Sequence, residues 1–166
     1  MTLFARAILP VLFAISSGPV LALSCLPPDV ARTYNFAQES EDRFVVVYGE
    51  LSFDEVKLPQ TDWENQEATP PDTFIPATLK GQSLDQTGFA KPFVQEITMN
   101  ARCFGPWCAG GTSDLDYLAF LKETDEGYLL ELDPCGGMAF VQPSKETLNK
   151  VKACFQGKSC NEDSLK

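Results

Sequence analysis

"DYLAFLKETDEGYLLELDPC", residues 116–135, consists of two apolar runs around a turn. The runs "YLAFLKE" and "YLLELD" have the aromatic and aliphatic content of strands. Between them, "TDEG" is a turn, and Gly127 takes a positive φ without steric penalty. The segment therefore predicts a β-hairpin ending at a cysteine, Cys135. Upstream, "DRFVVVYGELSFDEV" (42–56) is β-branched and long enough for a curved strand. "FIPATLKGQSL" (74–84) alternates in patches; Pro76 predicts an edge or broken strand, and Gly81 a bulge or bend. "KPFVQEITMNARC" (91–103) alternates Phe93, Gln95, Ile97 and Met99 against Val94, Glu96, Thr98 and Asn100, a strand with one mixed face.

The segments between these strands are polar or glycine-rich. "KLPQTDWENQEATPPDTF" (57–74) is rich in proline and acid without apolar periodicity, and reads as an exposed loop. "FGPWCAGGTSD" (104–114) reads as a turn, with Trp107 expected to pack on its neighbouring disulfide. Downstream of the hairpin, "PSKETLNKVKACFQG" (143–157) is helical. Ser144 is the N-cap and Glu146 lies in the first turn; Leu148, Val151 and Phe155 share a face, and Gly157 closes the end. About five strands followed by one helix, with no helices interleaved, argue against a parallel α/β sheet. The expected fold is all-β with a C-terminal helix, a β-rich α+β chain. Its expected architecture is a five-stranded antiparallel OB-like barrel stapled by disulfides.

Residues 1–24 hold one basic residue, Arg6, then the apolar run "AILPVLFAI" and small residues up to Ala22 and Ser24. This is the pattern of a secretory signal peptide. The run is shorter than the roughly 20 apolar residues that span a bilayer. Cleavage is expected after Ala22 or after Ser24. Lipidation of Cys25 is disfavoured because Leu23 sits in the middle of Ala22-Leu23-Ser24, away from the position a lipid-attachment signal wants. Removing 24 of 166 residues leaves 142, one domain, read as residues 25–160 with a flexible tail at 161–166. The chain is expected to be periplasmic or secreted.

The formal charge of −10 becomes −11 without Arg6, since residues 1–24 contain no acid. That excludes nucleic acid and anionic lipid surfaces as partners, because both need Lys and Arg. There is no histidine, so the usual general base, metal ligand and Ser-His or Cys-His pairs are missing. Asp114, Asp116, Glu123, Asp125 and Glu126 flank "YLAFL" and resemble a carboxylate pair of a glycosidase, but read as solvated strand ends. The expectation is no enzyme, no cofactor and no metal.

Cys25, Cys103, Cys108, Cys135, Cys154 and Cys160 all follow the leader, an even number that reads as three disulfides. Six cysteines allow 15 pairings, and spacing does not choose among them. No C-x-x-C pair supports zinc or thioredoxin-like chemistry.

The order Cys25, "FVVVYGEL", Cys108, "DYLAFL", Gly127, "LLELDPC" and "TLNKVKACFQGKSC" resembles the netrin-like module, whose best-known members are the tissue inhibitors of metalloproteinases. The resemblance runs from Cys25 to Cys160. It implies an OB-type barrel in which Cys25 is tied to Cys108. It also implies that the Cys25 α-amine and carbonyl chelate a protease zinc while Leu26 enters the apolar specificity pocket. An α-amine with a pKa near 8 offers a lone pair at neutral pH at modest cost. The chain departs from the family start: Cys25-Leu26-Pro27-Pro28 lacks the second cysteine of Cys-x-Cys-x-Pro. The resemblance then leaves Cys135 to pair elsewhere, with Cys103 as the candidate, and Cys154 to pair with Cys160 or one of these two with something else.

The expected function is a non-catalytic exported module that recognises a protein or an envelope component, as the face and loops of OB-like folds do, with Cys25 and Leu26 as candidate inhibitory or binding residues. The alternative is a metalloproteinase inhibitor using the Cys25 α-amine and Leu26 at the protease zinc site. A monomer without a membrane span is expected.

Overall fold

β-Branched and aromatic residues from Phe44 onward favour an extended backbone, and the first strand, β1, runs Phe44–Phe53. The structure is a computed structural model that describes residues 23–162. Residues 1–22, with most of the expected leader and its expected Ala22 cleavage point, and residues 163–166 of the expected tail lie outside the described residues. Strand makes up 45% of the chain, with a short C-terminal helix and three disulfides.

The remaining strands are β2 (Asp72–Asp85), β3 (Gly88–Phe104), β4 (Trp107–Cys108), β5 (Leu115–Thr124), β6 (Gly127–Leu132) and β7 (Ala139–Val141). β1 pairs antiparallel with β2 on one side and with β5 on the other. β2 pairs with β3, β3 with β6, and β6 with β5. The ladder thus returns to its first strand. β7 adds to β5 beyond the end of β6, and β4 folds back on the end of β3. One expectation is corrected: the set is not wholly antiparallel, since Thr98–Ala101 of β3 run parallel to Leu129–Leu132 of β6. Once β5 and β6 form a hairpin and β5 pairs antiparallel with β1, β6 meets β3 running in the same direction. Closure forces the parallel pair.

Alternation places two cores on the two faces of β1 and β5. Val47, Leu51, Tyr117, Ala119 and Leu121 point inward and pack with Ile75, Leu79, Ile97, Met99 and Leu130. Val46, Leu118 and Phe120 point outward into a second cluster. Two helices cover that outer cluster: α1 (Val30–Glu39) and α2 (Lys145–Phe155). Val30, Tyr34 and Ala37 come from α1, and Leu148, Val151 and Phe155 from α2. "FVVVY" and "YLAFL" read as unbroken apolar runs because both faces are buried. Each fully buried large side chain here contributes about 1.5–3 kcal/mol of transfer free energy.

α2 agrees with the sequence: the Ser144 hydroxyl accepts from the Thr147 amide at 3.1 Å, and Gly157 has φ 72°. α1 is new; the strand-and-turn reading leaves residues 30–39 without an element. Its signal was a Pro28-Asp29 start followed by Val30, Tyr34 and Ala37 on one face. β2 is a continuous 14-residue strand, longer than the broken edge Pro76 suggests. Pro76 is tolerated because the β1 ladder begins one residue later, at Phe53 opposite Ala77. The register shift falls at Ser83/Leu84, and Gly81 does another job: it faces Gly49, where a Cβ on either would collide with the other's backbone. Among the described residues no helix is long and apolar enough to cross a membrane.

Candidate functional site

Ser24–Pro28 precedes α1 and has no regular structure. It is fixed at both ends. Cys25 is bonded to Cys135, with Cα atoms 5.4 Å apart. Asp29 follows as the N-cap of α1: its Oδ1 accepts from the Ala31 amide at 2.8 Å and the Arg32 amide at 3.4 Å. Asp29 is 7% exposed, and Lys150 of α2 places its Nζ 3.7 Å from the same oxygen. Arg32 extends back along the segment; its Nη1 donates to the Pro27 carbonyl at 3.1 Å, and its Nε pairs with Glu162 at 3.0 Å. Residue 162, read as part of a loose tail, is therefore tied to α1.

The β6–β7 loop is shaped to meet this segment. Gly136 and Gly137 take φ 107° and 66°, a region L side chains avoid. The Asp133 carboxylate accepts from the Cys135 amide at 2.7 Å, and the Met138 amide donates to the Glu131 carbonyl at 2.9 Å. Between segment and loop lies a groove of about 270 Å³ bordered by Cys25, Leu26, Asp29, Arg32, Asp133 and Phe140. Leu26 stands 57% exposed.

The disulfides correct two pairings implied by the resemblance. Cys25 joins Cys135 rather than Cys108, and Cys103 joins Cys108 rather than Cys135. Cys103 and Cys108 are opposite residues of the β3–β4 hairpin, so the local turn brings them together. The N-terminal segment instead lies against the β6–β7 loop, where Cys135 is within reach. Cys154 and Cys160 form the third bond. Trp107 is half-buried in the Cys103–Cys108 hairpin, and Trp63 of the acidic loop is exposed. That loop carries two short 3₁₀ turns, Glu55–Lys57 and Gln66–Ala68. The Thr61 hydroxyl anchors it by donating to the Pro106 carbonyl at 2.6 Å.

Three of the five acids flanking β5 have structural partners. Ser52 donates to Asp114 at 2.7 Å, Tyr48 to Asp116 at 3.1 Å, and Arg43 pairs with Glu123 at 3.2 Å. Burial, reinforced by the Asp116 carboxylate, pushes the Tyr48 phenol above its ordinary value. Among the described residues no three His, Cys, Asp or Glu side chains converge to hold a metal ion. The segment around Leu26 offers an exposed apolar side chain, a cationic guanidinium and two carboxylates committed to backbone amides, an arrangement suited to contact.

No family model, curated protein or solved structure matches the chain.

Proposed function

We propose that the protein is an exported, non-catalytic binding module on an OB-type barrel with netrin-like decoration, and that Leu26 is its principal contact. The barrel reading is supported by the strand order β1-β2-β3-β6-β5 returning to β1, by the parallel closing pair and by the helix after the last strand. Three disulfides and the leader-like residues 1–24 support export. The absence of histidine supports a role without turnover.

The observation that carries the proposal is Leu26, 57% exposed on a segment anchored by the Cys25–Cys135 bond and the Asp29 cap. Holding an apolar side chain in water has no folding benefit, whereas a pre-ordered segment loses little entropy when a partner covers it. The partner is a protein or envelope component with an apolar pocket. Leu26→Asp should abolish capture of that partner from the exported fraction and leave the melting temperature unchanged. An identical set of captured proteins with the variant would refute the proposal.

The same exposure favours a second reading, inhibition of a metalloproteinase by the Cys25 α-amine with Leu26 in the specificity pocket. It requires cleavage after Ser24. Intact mass of the exported chain decides: a start at Leu23 removes the reading. A Cys25 start calls for titration against a zinc endopeptidase, where N-terminal acetylation should abolish inhibition.

A further inference from the structure

β7 stands at the end of the strand order and pairs with β5 alone. The Phe120 amide donates to the Met138 carbonyl at 2.9 Å, and the Gln142 amide to the Asp116 carbonyl at 2.7 Å. Bonded and unbonded residue pairs alternate along an antiparallel ladder, so the row bonded to β5 is Met138, Phe140 and Gln142. Ala139 and Val141, opposite Ala119 and Tyr117, turn their N–H and C=O groups away from β5. Among the described residues those four groups have no hydrogen-bond partner.

Ala139 and Val141 border a groove of about 200 Å³ together with Gly110, Gly111, Tyr117 and Leu132, and no charged residue borders it. Gly110 has open space where a Cβ would stand, and its backbone makes no hydrogen bond among the described residues. Val141 is 53% exposed, whereas Tyr117 and Leu132 are buried. The strand stops after Val141, because Gln142 takes φ 44° and Pro143 follows it. A free edge this short does not template open-ended pairing, but it presents two donors and two acceptors in the spacing of a strand.

From this we infer that the free edge of β7 takes up an extended, uncharged segment of a partner protein as an added strand. Backbone groups at alternate residues are satisfied together by the backbone of another strand, the recognition mode of β-augmentation. A compact apolar ligand would leave the same four groups unpaired. The small, uncharged groove selects small side chains at the positions of the segment that turn toward Tyr117 and Leu132. The groove meets the one around Leu26 at Gly136 and Ala139. The inference goes beyond the Leu26 contact and does not rest on it.

The test uses the oxidised protein and the blocked peptide Thr-Val-Thr-Val-Thr, followed by amide chemical shifts. Shifts should be largest at Ala139, Val141 and Gly110; their absence there would overturn the inference. Two further peptides carry esters in place of the valine amides or of the threonine amides, a change that removes N–H groups without adding bulk. One of them should bind about tenfold more weakly, the scale of two lost hydrogen bonds, and the other should bind as the parent does. Equal affinities of the two ester peptides would mean that no ladder forms and would overturn the inference. Val141→Pro removes an N–H that β5 does not use and should weaken the parent peptide about fivefold, the scale of one hydrogen bond. If that variant does not fold, the ester pair on the unaltered chain decides. Leu26→Asp should bind the peptide as the unaltered chain does, so loss of the Leu26 contact and loss of the edge are told apart. A dimer in light scattering that the peptide dissociates would also overturn the inference, since a second copy would then own the edge.

Discussion

Gly49 and Gly81 face each other where β1 crosses β2, and the strands approach so closely that neither position has room for a methyl group. Gly81→Ala should destabilise the protein by about 1–3 kcal/mol or more in urea unfolding, the scale of overpacking against rigid backbone. Asp29 also acts through a few atoms, capping α1 and facing Lys150 across the helix pair. Asp29→Ala should lower stability by about 1–2 kcal/mol. Asp29→Ser, which keeps a capping oxygen, should recover part of that loss. Equal stability of the two variants would show that the cap contributes nothing. Neither role was legible in advance: Gly81 reads as a bulge because a sequence shows a missing side chain but not what stands opposite it.

At the scale of elements, the β5–β6 hairpin and α2 followed from local chemistry. The turn at Gly127 and the cap at Ser144 lie where their residue types place them. The β2–β3 turn carries its own electrostatic signature. The Asp85 carboxyl accepts from the Thr87 hydroxyl at 2.6 Å and the Thr87 amide at 2.7 Å. These bonds, the hydroxyl first, hold its pKa below the ordinary carboxylate value. A depressed folded-state value means a stabilising contribution present above the unfolded pKa and lost as pH falls through the folded one. Thr87→Ala should move the Asp85 titration upward in a carboxyl-detected NMR experiment; an unchanged midpoint would show that the hydroxyl has no part in it. α1 escaped notice because its apolar stripe is short and half polar: Val30, Tyr34 and Ala37 make sense only against the outer face of β1 and β5.

For the whole molecule, the bonds differ most in the span they close. Cys25–Cys135 spans 110 residues, Cys154–Cys160 spans 6 and Cys103–Cys108 spans 5. By loop-closure entropy the first restricts the unfolded chain by about 5 kcal/mol and each of the others by about 2 kcal/mol. Replacing Cys25 and Cys135 with serine should therefore lower stability more than replacing Cys154 and Cys160. It should also free the Leu26 segment, which hydrogen exchange at Leu26 and Ala31 would report. A reversed order of losses would mean that native-state strain, not chain entropy, governs these bonds.

The sequence by itself determined the five longer strands, the late helix and the oxidised cysteines, because each depends on neighbours a few residues away or on composition alone. Only the tertiary structure decided which cysteines meet, that β6 lies parallel to β3, and that α1 packs beside α2. Those outcomes bring together residues tens of positions apart. They are set when the ladder closes on itself and the two helices pack on the outer cluster it presents.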